Sequence, residues 1–205
     1  MTLGESEVIM RLGSPRLGEA HLTIPIPEGL GIPGPGRATA TPLTKRRAMS
    51  QRKEHAMGVI LKNITRENFA AAIALEVATS QRDYVADNLY SIAESSFHPT
   101  FQPRAIYCDG EVVGFLMYES FDHDERPPAY NIFRLMVDRH HQGRGIGHRA
   151  MQCVLDEIRS QGPFERIAIC YVSTNQVARN FYASLGFQET GLSEETGEVI
   201  AEIRG

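Results

Sequence analysis

The chain has 205 residues, a formal charge of −4 and 42 % hydrophobic residues, enough for one domain with a core, and it lacks the ~20-residue apolar run that a transmembrane helix needs. Its charge is uneven, residues 1–56 summing to +3 and residues 57–205 to −7, which argues against nucleic acid and for cationic partners of the second segment. Three cysteines without metal-ligand spacing and no basic start followed by an apolar stretch imply a cytoplasmic protein with free buried thiols, no metal, and no membrane partner.

Residues 1–56 do not read as part of a fold. Between Ile24 and Gly36 stand four prolines and four glycines, which suits a disordered or linker-like extension. A basic cluster follows at Lys45, Arg46, Arg47, Arg52 and Lys53. Met57 is a start-like residue directly ahead of a strand, so the working domain is expected at 57–205. The strand is Val59–Asn63. Thr65 or Asn63 then caps a helix expected to run through Val77, with Phe69, Ile73 and Val77 on one face. A second helix is expected over Val85–Ser95. Pro99 and Pro103 break the chain before a strand at Ala105–Cys108. Asp109-Gly110 is a hairpin turn leading into a strand at Val112–Tyr118. An acidic loop is expected over Phe121–Pro128, then a strand over Tyr130–Val137.

The most informative stretch follows. Gln142-Gly143-Arg144-Gly145-Ile146-Gly147 lies between that strand and an amphipathic segment that places Ile146, Ala150, Met151, Val154, Leu155 and Ile158 on one face. Strand, glycine turn and helix together bind phosphate: glycines admit a ligand close to the backbone, and the first N–H groups of the helix have no partner within it. The spacing fits neither the dinucleotide fingerprint nor the P-loop, which would require Gly-Lys-Ser/Thr where this chain has Gly147-His148-Arg149. Farther on, Arg166–Val172 reads as a strand and Asn175–Leu185 as a helix capped by Asn175 and ended by Gly186. A hairpin of Phe187–Gly191 and Glu198–Arg204 closes the chain.

Gln142, Gly145 and Gly147 match the pattern Q/R-x-x-G-x-G/A, which resembles the acetyl-CoA diphosphate loop of the GNAT superfamily of N-acetyltransferases. The run from Asn175 through Ala178 and Tyr182 to Gly186-Phe187 resembles the later signature of the same superfamily, and the order β-α-α-β-β-β-α-β-α-β-β is its arrangement over 57–205. The resemblance implies an α/β fold, a mixed sheet with helices on both faces and with its fourth and fifth strands splayed to admit the pantetheine arm of acetyl-CoA. It implies cofactor contacts from the backbone of Leu135, Met136 and Val137, from Gln142, Gly143, Arg144, Gly145, Ile146, Gly147 and His148, and from Asn175. Many relatives pair, so a homodimer is among the states the resemblance admits. A narrower resemblance covers Gln81–Glu94, which is similar to the acceptor-side segment of bacterial spermine/spermidine acetyltransferases; here Asp87 stands where that segment carries proline.

The implied reaction is attack by a primary amine on a thioester. An amine of pKa ~10 is only about 0.1 % neutral at pH 7, a handicap of about 4 kcal/mol, so a base or a water chain must take its proton. Tyr182 occupies the general-acid position of the family and would protonate the departing thiolate. A strand N–H at Met136 or Val137 would hold the oxyanion. Relatives that use a carboxylate early in the fourth strand find no match here, since that stretch is Asn131, Ile132, Phe133 and Arg134. Asp122, Asp124 and Glu125 in the acidic loop are candidates for the base, directly or through water, or for attracting a cationic substrate; with Tyr84 and Asp87 they are the candidate acceptor-side residues. Arg134 either contacts phosphate or pairs with an acid. Spermidine or spermine leads as acceptor; a protein N-terminus or an aminoglycoside, or a non-catalytic acyl-CoA-binding module, are the rivals.

Overall fold

The computed structural model describes residues 58–123 and 126–205. The proposed extension at 1–56, the start at Met57, and Asp124 and Glu125 lie outside the described residues. Seven strands form one sheet: β1 (Val59–Asn63), β2 (Phe101–Cys108), β3 (Glu111–His123), β4 (Arg126–Val137), β5 (Arg166–Tyr171), β6 (Gln188–Leu192) and β7 (Val199–Arg204). The spatial order is β1-β2-β3-β4-β5-β7-β6. The helices are α1 (Phe69–Ile73), α2 (Asn88–Ser95), α3 (Ile146–Ser160) and α4 (Gln176–Ser184), with a 3-10 turn at Thr79–Tyr84 ahead of α2. The order of elements is the one expected.

All pairings are antiparallel except β4 with β5, which run parallel through only three residue pairs, Ala129 with Arg166, Tyr130 with Ile167 and Asn131 with Ala168. Beyond Asn131 the two strands part, so Ile132–Val137 of β4 and Ile169–Tyr171 of β5 face each other across a gap. The expected splay is therefore present.

Two apolar clusters sandwich the sheet. On one face, Ile132, Leu135 and Val137 of β4 pack with Ile146, Met151, Val154, Leu155 and Ile158 of α3 and with Tyr182 of α4. On the other, Phe115, Met117, Phe133 and Met136 pack with Val77 and with half-buried Leu75, Val85 and Ile92. The six positions expected to form the buried stripe of α3 are all 3 % exposed or less.

Several boundaries differ from expectation, each because a tertiary contact outweighs local pattern. The first helix stops at Ile73 rather than Val77: Asn88 Nδ2 donates to the orphan carbonyl of Ala72 at 2.8 Å, and the Glu76 backbone is drawn against residues 138–139 by a bond from its N–H to Asp138 Oδ2 (3.0 Å) and from Arg139 N–H to its carbonyl (2.8 Å). Neither Thr65 nor Asn63 is its N-cap; Asn68 is, with its side chain accepting instead from Thr65 N–H at 2.7 Å. The second helix starts three residues late, at Asn88, because the Asp87 carboxylate caps it, accepting from Leu89 N–H at 2.7 Å and Tyr90 N–H at 3.4 Å.

Of the expected acidic loop over Phe121–Pro128, the described residues are strand. β3 continues to His123 and β4 begins at Arg126, with Phe121 opposite Ala129 and His123 opposite Arg126. β2 starts four residues before Ala105 and contains Pro103, which pairs only with Met117; β1 does not begin to pair until Arg104, so the missing N–H faces no neighbour.

Candidate active site

The gap between β4 and β5 is the centre of the site. Antiparallel strands turn alternate residues toward and away from a given neighbour. Asp138 N–H donates to Val113 O at 2.8 Å, and Met136 O lies against Gly114, so Asp138 and Met136 address β3. Leu135 and Val137 therefore turn their backbone groups into the gap. The expectation for Met136 is corrected on this point: its backbone belongs to the β3 ladder, and its side chain packs on the opposite face, with Asn88 Nδ2 3.6 Å from its sulfur.

At the end of β4 the chain makes a tied turn. Asp138 accepts from Glu76 N–H at 3.0 Å and from His140 N–H at 2.9 Å. Burial works against its charge, but these two donors and the neighbouring histidines prevail, and the carboxyl pKa is lowered. The Gln142 side chain donates to Val137 O at 2.9 Å and pairs with the Gln81 amide through bonds of 3.1 and 3.2 Å. Gln142 thus locks the loop to β4 and to the 3-10 turn, and its backbone rather than its amide faces outward. Gly143 and Gly145 both have φ of 73°, in the left-handed region, and a Cβ at either would meet nothing within 4 Å. This is an open cradle. Gly145 caps α3, and the first amide bonded within that helix is Arg149 N–H, to Gly145 O at 3.2 Å. The N–H groups of Ile146, Gly147 and His148 remain for an anion, with the helix dipole behind them.

A ladder of rings joins this loop to the gap. His148 meets Phe181 edge-on at 6.1 Å, Phe181 meets Tyr182 at 5.0 Å, and Tyr182 stacks on Tyr171, in the half of β5 that does not pair with β4, at 5.7 Å. Asn175 caps α4 as expected, its Oδ1 accepting from Ala178 N–H at 2.9 Å. Tyr182 is 1 % exposed and its hydroxyl is buried with no hydrogen-bond partner. Burial, then the nearby Tyr171, raise its pKa well above 10, so it remains a proton donor at neutral pH. A buried hydroxyl without a partner costs about 1–3 kcal/mol, and the Tyr182 ring lies against Tyr171 of β5, whose strand parts from β4 beyond Asn131. The orphaned hydroxyl, the glycine cradle and the splayed strands together fit acetyl-CoA.

The face of the sheet carrying α2 forms the other wall. A bulge in β4 sets Met117 opposite Arg134 and Tyr118 opposite Ile132, which turns Phe133 and Arg134 to this face together. Arg134 is 2 % exposed, 3.4 Å from Ser91 Oγ and 3.6 Å from Glu94. Of its two anticipated roles, pairing with an acid is the one found. Between α1, the 3-10 turn and Met136 opens a pocket of about 310 Å3, lined by Glu76, Arg82, Val85 and Asp87 among others. Tyr84 ends the 3-10 turn and is 39 % exposed. Asp122 lies within β3 rather than in a loop. The cysteines are free; Cys108 and Cys170 are buried and Cys153 half-buried, and burial raises all three thiols, Cys170 to about 11.

One ionisable residue on this face has no counterpart among the expected site residues. Glu119 of β3 sits directly across from Asn131 of β4, and across from Phe101 of β2 on its other side. Burial is the first cause of its raised carboxyl pKa. The sequence reading ended the strand at Tyr118, one residue short of it.

Residues 61–187 match the model of the acetyltransferase (GNAT) family, and the chain belongs to that family of N-acetyltransferases. It is 26 % identical over 147 residues to the spermine/spermidine N(1)-acetyltransferase of Bacillus subtilis and to the probable spermine N(1)-acetyltransferase of Bacillus subtilis subsp. natto, covering 70 % of this chain and 97 % of each relative. Among solved structures, an aminoglycoside acetyltransferase in complex with coenzyme A has a TM-score of 0.59 at 14 % identity, covering 71 % of this chain and 94 % of that one. An N-acetyltransferase of Thermoplasma acidophilum in complex with coenzyme A has a TM-score of 0.54 at 14 % identity, covering 73 % of this chain and all of that one. The fold is thus shared with proteins that hold coenzyme A. No described helix is long and apolar enough to cross a membrane.

Proposed function

We propose that this N-acetyltransferase acts on a small polyamine, spermidine or spermine, with acetyl-CoA as co-substrate. The observation that carries the reading is the α2 face. The Gln81–Glu94 segment, similar to the acceptor-side segment of spermine/spermidine acetyltransferases, packs over β4 and bounds a pocket lined by two acidic residues, Glu76 and Asp87, and one basic residue, Arg82. The −7 charge of residues 57–205 adds a field that attracts a polycation. The names of the two Bacillus relatives support the same acceptor.

Acetyl-CoA supplies an activated acyl carbon, and the chain's groups are disposed to receive it. The amides of Gly143–His148 take the diphosphate, so the arm runs from there along Val137 toward Leu135. The thioester is the far end of the arm. Leu135 N–H, farther from the loop than Val137 N–H, is then the donor for the oxyanion, in place of the Met136 or Val137 donor that the family resemblance implied. The Tyr182 hydroxyl delivers its proton to the departing thiolate. Asp87 serves first as a helix cap, and one oxygen of its carboxylate is engaged by the α2 amides, so its part toward an amine is electrostatic. We further propose that the protein is cytoplasmic, with a free amine rather than nucleic acid or membrane as its partner.

The test is a panel of amines with acetyl-CoA, followed by release of free thiol. Spermidine and spermine should exceed an aminoglycoside and an N-terminal peptide in kcat/KM by at least tenfold. Turnover of another amine with none of the polyamines would end the polyamine assignment while leaving the N-acetyltransferase intact.

A further inference from the structure

Transfer to an amine requires a proton acceptor, and β4 offers none at the position where a carboxylate was sought. Asn131 stands there. It is the last β4 residue paired to β5, at the apex of the splay. Its Oδ1 is buried without a hydrogen-bond partner.

We propose that Glu119, the cross-strand neighbour of Asn131 on β3, is the proton acceptor for the amine, with Asn131 Oδ1 orienting the ammonium or the water between them. The inference rests on the reading of the site as an amine acetyltransferase.

Three observations carry it. First, directly opposed residues of an antiparallel pair hold their Cβ atoms about 4.5–5.5 Å apart on one face, so a carboxylate on β3 reaches the same space as one on β4. Second, that face is the acceptor side: Glu119 is opposite Phe101, and Phe101 packs edge-on against Phe133 at 4.8 Å in the cluster beneath α2. Third, only Oε1 of Glu119 has a protein partner among the described residues, accepting from Thr100 Oγ1 at 3.0 Å. The titratable group facing it is His98, whose ring stacks on Phe101 at 4.5 Å; the facing residues of β2 and β4, Phe101 and Asn131, do not titrate.

The proton balance closes. One ammonium proton passes to the Glu119 carboxylate and leaves to solvent after turnover. The neutral nitrogen adds to the acyl carbon, forming the C–N bond and the oxyanion, and collapse of the oxyanion breaks the C–S bond. The proton that Tyr182 gives to sulfur is replaced by the second one lost from nitrogen.

Burial raises the Glu119 carboxyl pKa above the usual 4.5, so the acid limb of kcat/KM in the wild type should lie above that value. Glu119→Gln should lower kcat by about 100-fold or more, with KM for the amine little changed and with that limb gone from the pH profile. Asn131→Asp, which returns a carboxylate to β4, should restore at least tenfold activity to Glu119→Gln and bring back an acid limb. Calorimetric titration with coenzyme A checks that each variant keeps its cofactor site. A Glu119→Gln enzyme that binds coenzyme A and retains the wild-type kcat and profile overturns the proposal. So does one whose KM alone rises, which would make Glu119 a binder of cation. A wild type that binds coenzyme A but acetylates no amine refutes the acceptor reading, and this inference with it; an active wild type with an indifferent Glu119 refutes the inference alone.

Discussion

The Tyr182 hydroxyl should be a burden to the folded protein and an asset to catalysis, and one substitution separates the two. Tyr182→Phe keeps the ring, and with it the contacts to Tyr171, Phe181 and Phe187 at 5.7, 5.0 and 5.8 Å. What leaves is an oxygen that is buried and unpartnered. Leaving a buried hydroxyl unsatisfied costs about 1–3 kcal/mol, so the ligand-free variant should be more stable by up to that amount, a rise in Tm of about 2–4 °C for each kcal/mol in a domain of this size. Loss of a positioned general acid removes roughly 100- to 10,000-fold from kcat, or about 2.7–5.5 kcal/mol at 1.36 kcal/mol per tenfold. Coenzyme A affinity should hardly move, because the diphosphate is held elsewhere. Thermal unfolding, thiol release under saturating substrates and calorimetry read the three quantities. Because burial raises the Tyr182 pKa well above 10, its ionisation should produce no fall in wild-type kcat below pH 10. An unchanged kcat in Tyr182→Phe would refute the assignment of the acid. A lowered Tm would show that the hydroxyl has a partner in the free protein, and the argument from its orphaned state would fail.

Other substitutions probe the frame around this residue. Gly145→Ala forces a side chain into the left-handed region, at roughly 1–2 kcal/mol, and directs a Cβ into the open cradle; titration should find coenzyme A bound at least tenfold more weakly, and an unchanged Kd would mean the diphosphate lies elsewhere. Gly114→Ala brings a Cβ to 2.6 Å from Met136 O and 2.9 Å from Ile106 Cδ1, so urea unfolding should show a loss of about 1–3 kcal/mol; wild-type stability would contradict the close approach of β3 and β4 there. Asp138→Asn tests the tied turn. The folded pKa of Asp138 is below its ordinary 3.8, so its contribution is complete above 3.8 and is lost as pH falls through the lowered value. Unfolding curves across pH should show wild type the more stable above 3.8, with the difference shrinking in more acid solution; a constant difference would mean the carboxylate charge is not what holds the turn.

Which parts of this site a sequence can disclose depends on how local the determining contacts are. The glycine loop, α3 and the Asn175 cap were legible because each is specified within a few residues: a left-handed turn needs glycine, a cap needs a short polar side chain, and the α3 stripe repeats at helical spacing. The end of α1 was not, since it is set by Asn88, Asp138 and Arg139, all distant in the chain. The Gln81–Gln142 pair joins two segments that were each noticed for other reasons, and nothing in either names its partner.

The α2 face of the sheet shows the same division more sharply. Alternation along β4 would put Ile132 and Arg134 on one face, yet the bulge places Arg134 with Phe133 beneath α2. A bulge inverts the side of every residue after it, so no reading of β4 alone could locate Arg134 or say which of Leu135, Met136 and Val137 opens to the gap. The extension of β3 past Tyr118 has the same effect. With the strand ended at Tyr118, Glu119 has no assigned neighbour; the register of the sheet sets it against Asn131 and Phe101. A sheet supplies neighbours sideways as well as lengthwise, and the pairing of Glu119 with Asn131 is a sideways one that no reading of β4 by itself contains.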